Sequence, residues 1–200
     1  MKTTILTIAL LTATILGFNQ SASAAIGKTE GAATTTTLTN VSNISEIEIR
    51  GNVELYVSAG TADQVKVYNN YYSNNALVQD DNGVLRIASY STQKLTVWVT
   101  ANQLAKLSVY DNATVKSFGK LSAINLDVEL YNNASAQLNM DAFSANVKVN
   151  DNAKANLTGD VTEGSLKANI TANLNASNLK VSHLTKAPEV KSEEVELALL

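Results

Sequence analysis

The stretch Val109-Tyr-Asp-Asn112-Ala-Thr-Val115 returns three more times along the chain. It recurs as Leu130-Tyr-Asn-Asn133-Ala-Ser-Ala136, as Val149-Asn-Asp-Asn152-Ala-Lys-Ala155 and as Ile170-Thr-Ala-Asn173-Leu-Asn-Ala176. The shared asparagine therefore advances in nearly equal steps, from Asn112 to Asn133, Asn152 and Asn173. Upstream, Ile49-Arg-Gly-Asn52-Val-Glu-Leu55 and Val67-Tyr-Asn-Asn70 fit the same frame. Around each copy apolar and polar residues alternate, as in Ile47/Ile49, Leu107/Val109, Leu126/Val128/Leu130 and Val147/Val149. Period-two alternation in short runs predicts strands with one buried face.

A period of about 20 residues fits a solenoid whose repeats are single rungs, each burying the apolar face of its neighbour. The expected fold is all-β, a right-handed parallel β-helix over residues 44–185. Asn52, Asn70, Asn112, Asn133, Asn152 and Asn173 would stack at its bends, because asparagine tolerates left-handed backbone and its amides can bond along a stack. Two alternatives stay open. Asn82-Gly83 between strand-like runs is a hairpin signal, so the N-terminal half can be antiparallel with a short β-helix after it. A β-sandwich is the other, and explains the spacing less well.

Ile47-Glu-Ile-Arg-Gly-Asn-Val-Glu-Leu55, Asn82-Gly-Val-Leu-Arg-Ile87 and the later copies resemble the "putative auto-transporter adhesin, head GIN domain" family. The resemblance covers roughly Ile44 to Val181, and it implies an exported β-helix-like domain of a kind found largely in Bacteroidota. Family members often place Gly-Ser-Gly at bends where this chain has Asp-Asn-Ala or Asn-Asn-Ala. The resemblance implies no catalytic residues and no cofactor.

The ends have their own character. Lys2, the apolar run from Ile5 to Phe18 and the small residues Ser21 to Ala25 read as a signal peptide over 1–24, cut between Ala24 and Ala25. A Thr-rich spacer follows over 25–43, and residues 186–200 are a terminal cap or tail. The chain has no cysteine, which leaves no site for Cys-linked lipid and no disulfides. Without Lys2 there are 14 basic residues against 18 acidic, a net charge of −4, and only Arg50 and Arg86 are arginines. That balance argues against nucleic acid as a partner. No later run is long and apolar enough to form an integral membrane segment.

Catalytic signals are thin. His183 is the only histidine and lies near no nucleophile motif, so it reads as a surface residue. A His/Cys metal site fails for the same reason. Asp111 and Asp151 would stand two rungs apart, roughly 10 Å, near the upper limit for an inverting carboxylate pair. Aspartate is equally a turn former there, and that reading is preferred. The better hint is aromatic. Tyr68, Tyr110 and Tyr131 share one frame position beside inward aliphatics, and with Trp98 they are a candidate outward binding surface; a tyrosine stack that only covers strand edges and rigidifies the sheet is the preferred alternative.

The reading is a non-catalytic, exported, adhesin-like module of the cell envelope, periplasmic or at the surface, binding carbohydrate or an envelope protein. A self-associating structural component is the alternative, and a carbohydrate-active enzyme the weakest. Oligomeric state is left open.

Overall fold

The structure is a computed structural model and describes residues 35–38, 41–68 and 76–185. The signal peptide with Ala24 and Ala25, most of the 25–43 spacer, Asn70 and the 186–200 tail lie outside the described residues.

The chain is all-β, with no helix among the described residues. Its strands are β1 (Thr35–Leu38), β2 (Glu46–Gly51), β3 (Val53–Ala59), β4 (Gln64–Tyr68), β5 (Ala76–Asp81), β6 (Val84–Ser89) and β7 (Leu95–Ala101). After these come β8 (Lys106–Val109), β9 (Thr114–Ser117), β10 (Leu121–Leu130), β11 (Ser135–Val149), β12 (Lys154–Ala168) and β13 (Asn173–Thr185). All belong to one 13-stranded sheet.

That sheet is mixed. Parallel pairs carry the repeat: Leu121 lies opposite Met140, one period on, and Asp127 opposite Lys106, one period back. Antiparallel pairs join β1 to β4, β4 to β7 and β5 to β6. A parallel arrangement throughout therefore does not describe the molecule. The physical reason at β5–β6 is local. Asn82 (φ 53°) and Gly83 (φ 82°) are successive left-handed residues, the backbone of a tight two-residue hairpin.

Strands separated by one bend form tiers, such as β2 with β3 and β8 with β9. Tier order is not chain order. Ile47 on β2 lies between Leu85 of β6 and Leu107 of β8, and Leu55 on β3 lies between Val97 of β7 and Val115 of β9. The β6/β7 tier thus stacks outside the first tier of the sequence, and β5 and β4 cover it in turn.

Inward residues from both sides of the bends make one core. Ile47, Leu107, Val128 and Val147 run along one side and Leu55, Val115, Leu138 and Leu157 along the other, all nearly inaccessible. Burying each such side chain contributes roughly 1.5–3 kcal/mol. Alternation leaves the intervening side chains pointing outward, and those outward rows carry the candidate site.

Candidate functional site

Parallel register places like positions of successive tiers side by side. On the β2–β8–β10 side, Arg50 at the end of β2 is followed by Tyr110 after β8 and Tyr131 after β10. The two tyrosine rings stack with centroids 4.9 Å apart and planes 4° from parallel. The Arg50 guanidinium covers the Tyr110 ring at 3.9 Å, a cation–π contact. Glu48 anchors Arg50 through Nε at 2.6 Å. Glu129 accepts from Lys148 Nζ at 2.8 Å and from the Tyr131 hydroxyl at 3.4 Å. The Lys148 hydrogen bond holds the Glu129 carboxyl below the ordinary carboxylate range, outweighing partial burial. Burial, with the Glu129 charge beside it, raises the Tyr131 phenol. In the same row of charges Ser108 lies between Glu48 and Glu129. Its hydroxyl is buried without a hydrogen-bond partner.

The opposite side carries a second aromatic row. Tyr56 of β3 stacks on Trp98 of β7 at 4.7 Å, and Phe118 tilts against Trp98 at 5.4 Å. Lys116 stands 5.5 Å from the Tyr56 ring centre and bonds Glu54 at 2.8 Å. That hydrogen bond lowers the Glu54 carboxyl. Tyr68 lies on this side too, opposite Thr96 and Thr35. The four aromatics that sequence reasoning grouped are thus divided: Tyr110 and Tyr131 on one side, Trp98 and Tyr68 on the other. Tyr56 and Phe118 were missed. Tyr56 alternates in phase with Glu54 and Ser58 as an outward β3 residue, a parity that was legible.

The bends correct a second expectation. The left-handed residues are Asp111 (φ 60°), Asn132 (φ 58°) and Asp151 (φ 54°), each one position before the asparagine assigned that role. Their side chains form the ladder that was expected of Asn112, Asn133 and Asn152. Gly51 N–H donates to Asp111 Oδ2 (3.0 Å), Asp111 N–H to Asn132 Oδ1 (3.2 Å), and Asn132 N–H to Asp151 Oδ2 (2.8 Å). Asn133 and Asn152 donate through their backbone N–H to the carbonyls of Asp111 and Asn132. Asn52 spends its side-chain amide on the carbonyls of Ser91 and Thr92. Asn173 is out of frame: it lies opposite Lys154, two residues beyond the counterpart of Asn152. Asp111 and Asp151 each accept a backbone N–H at a bend, the turn-forming task that alternative gave them. His183 is exposed on β13, opposite Glu163. Among the described residues no group of three or more His, Cys, Asp or Glu is placed to hold a metal ion.

Open clefts lie among the described residues. One of about 430 Å³ is lined by Gly51, Asn52, Tyr90, Ser91, Asp111 and Asn112. Another, about 230 Å³, lies over Asp141, Asp160 and Lys180, where Lys120 bridges the two carboxylates at 3.9 and 3.2 Å.

Fold and surface together define a curled, mixed β-sheet domain that displays aromatic and polar rows on its outside. The chain belongs to the family described as "putative auto-transporter adhesin, head GIN domain", whose model matches residues 43–187. That description is of an adhesin and not of an enzyme. Among solved structures, a protein of Bacteroides fragilis described as a putative adhesin is 16% identical, with TM-score 0.66 over 78% of this chain and 75% of that one. A putative adhesin from Parabacteroides distasonis is also 16% identical, with TM-score 0.59 over 78% of each chain. A further protein of Parabacteroides distasonis, described as a putative lipid binding protein, is 9% identical, with TM-score 0.58 over 78% of each chain. At these identities the likeness is one of fold. No match is found among the curated proteins. Among the described residues no helix is long and apolar enough to cross a membrane.

Proposed function

We propose that this chain is an exported, non-catalytic, adhesin-like binding module of the cell envelope that holds a carbohydrate or an envelope protein against its outward rows. A signal peptide cut between Ala24 and Ala25 releases a binding domain spanning residues 44–185. In this reading the successive parallel tiers are turns of a right-handed solenoid, closed at one end by the antiparallel strands β4 and β5. Family membership supports the adhesin class. The observation that carries the site is the Tyr110–Tyr131 stack with Arg50 over it, held at fixed spacing by the sheet. A rigid row of rings with neighbouring carboxylates and amides is preorganised, so a ligand binding it orders few side chains.

The test is the mature chain, from Ala25, on a glycan array and against solubilised envelope proteins. Replacing Tyr110 and Tyr131 together by Ala should lower the affinity at least about tenfold, the equivalent of about 1.4 kcal/mol, while the circular-dichroism spectrum stays that of a folded sheet. Binding that survives the double substitution unchanged sinks this use of the row.

A self-associating structural role is the second reading, and β13 favours it. It pairs only with β12 among the described residues, so its outer edge is a template for another strand. Light scattering across a concentration series decides: a mass fixed at the monomer value removes it.

A further inference from the structure

We infer that the cleft between the β6–β7 loop and the bend after β8 is a subsite for a neutral hexopyranose, an inference that rests on the binding reading above. It is an open hollow of about 430 Å³, lined by Gly51 and Asn52, by Tyr90 and Ser91 of the loop, and by Asp111 and Asn112 of the bend.

Tyr90 is the first reason. It is 75% exposed, so its ring adds little to the core. The ring is nevertheless placed. It rests over Gly51, where an added Cβ would come 3.2 Å from Tyr90 Cδ1 and 2.1 Å from the Ser89 carbonyl oxygen. A side chain at position 51 would crowd the ring.

The polar lining is fixed before any ligand arrives. Asp111 is held in left-handed backbone (φ 60°), with Oδ2 accepting from Gly51 N–H at 3.0 Å and its own N–H donated to Asn132 Oδ1. The Asn52 amide pins the loop through the Ser91 and Thr92 carbonyls, both at 3.2 Å, which leaves its carbonyl oxygen as an acceptor. Asn112 is exposed at the rim.

An exposed aromatic face in one hollow with a carboxylate and amide groups matches a pyranose ring. The sugar offers an apolar patch of C–H groups for the ring, and adjacent hydroxyls that donate to carboxylate and amide oxygens. The fit is to a neutral sugar. Asp111 repels an acidic one, and Arg50 is committed to Glu48 at 2.6 Å and to the face of Tyr110. An open, polar cleft gives little burial to an apolar ligand.

The experiment uses the mature chain on immobilised neutral hexose oligosaccharides, with sialylated and uronate-bearing glycans as separate arms. Soluble oligosaccharides from the responding arm are then titrated by calorimetry. Neutral glycans should bind, Tyr90→Ala should weaken them at least about tenfold and Tyr90→Phe by no more than about threefold. Asn112→Ala should also weaken binding. Thermal melts of the three variants should match the wild type, because both side chains are exposed. Binding confined to acidic glycans overturns the inference, as does an unchanged affinity in Tyr90→Ala or no neutral sugar bound at all. Binding that falls in the Tyr110/Tyr131 double variant but not in Tyr90→Ala overturns this subsite alone and leaves the wider reading standing. Loss of every ligand class, glycan and envelope protein alike, removes both.

Discussion

The bend at Asn132 and the bend at Ile170 are equivalent places two tiers apart, and they are built differently. At the first, a left-handed residue accepts the N–H of the tier before it and donates its own to the tier after it. At the second, a β-branched residue that disfavours left-handed backbone stands 99% exposed. Both turns close by a backbone bond, Ala134 N–H to the Tyr131 carbonyl and Ala172 N–H to the Asn169 carbonyl, and at the second the Asn169 side-chain oxygen also accepts from Ala172 N–H. Thr171 reaches back to the Asp151 carbonyl oxygen. The core follows suit. Ala155, Leu157 and Val161 on β12 are at most 3% exposed, while Leu174, Ala176, Leu179 and Val181 on β13 are only partly buried. Each tier is sealed by the tier that follows, and β13 has none among the described residues. Stability should therefore be graded along the stack, highest in the middle and lowest at β13.

The largest expected effect tests that gradient directly. Leu157→Ala should cost about 2–5 kcal/mol in urea denaturation, because the cavity it leaves is closed on all sides. Leu174→Ala, the same change one tier later, should cost about 1 kcal/mol, since part of that side chain already meets water. Equal losses would mean that the last tier is as well covered as the middle, and the gradient would fall.

Gly51 ranks next, because it begins the ladder. With φ at 78° and the Ser89 carbonyl oxygen 2.1 Å from any added Cβ, Gly51→Ala must both strain the backbone and push the β6 end away. A loss of at least about 2 kcal/mol is expected, measured by thermal melt and by faster amide exchange at Asn52, which donates to Ser89. A melt unchanged from wild type would show that the first bend is not under this constraint.

Much of this was legible in the sequence, and the gaps have physical causes. Alternation named inward residues of β2, β8, β10 and the end of β11, because burial on one face leaves that signature whatever the partner strand. The repeat spacing was legible where tiers follow one another in the chain. It failed between Ile47 and Leu85, because β6 and β7 stack outside β2 and β3, and nothing local records which tier neighbours which. Alternation also separates inward from outward without saying which outward side, so Tyr110 and Trp98 read as one surface. The bend residue was misassigned by one position because Asp and Asn both tolerate left-handed backbone and stand together at each bend. Their left-handed backbone and the ladder hydrogen bonds single out Asp111, Asn132 and Asp151. The Tyr90 cleft was illegible, since it joins a loop to a bend across tiers that are distant in sequence.

A smaller effect asks whether the ladder is chemistry or coincidence. Asp151→Asn should change stability by no more than about 0.5 kcal/mol, because Asn132 does the same task with an amide. Asp151→Ala should lose about 1–2 kcal/mol, from an unmet Asn132 N–H together with a left-handed alanine. Ile170→Asn should extend the ladder by one bend and raise stability by up to about 1 kcal/mol, with slower exchange of the Asp151 N–H as the local readout. If Asp151→Ala is as stable as Asp151→Asn, the side-chain acceptor contributes nothing.

The smallest effect concerns the ion pairs that tie tiers together. Lys116 on β9 bonds Glu54 on β3, and Lys148 on β11 bonds Glu129 on β10. At the last tier the pattern stops, since Lys167 on β12 lies opposite Lys148, a like charge where the earlier tiers place a carboxylate. Hydrogen bonds from the lysines hold both glutamates below the ordinary value of 4.5. A carboxyl with a lower pKa folded than unfolded stabilises fully above its unfolded value, and that contribution is lost as pH falls through its folded value. The melting temperature should therefore begin to drop below about pH 5 and continue to fall towards about pH 3. The Glu54→Gln/Glu129→Gln double variant should start from a slightly lower melting temperature at neutral pH and show a shallower acid slope. Because both pairs are partly exposed, added salt should shrink the difference between variant and wild type. An acid slope that is identical in the two proteins would assign the loss to other carboxylates, and would leave the tiers held by their core and their bends alone.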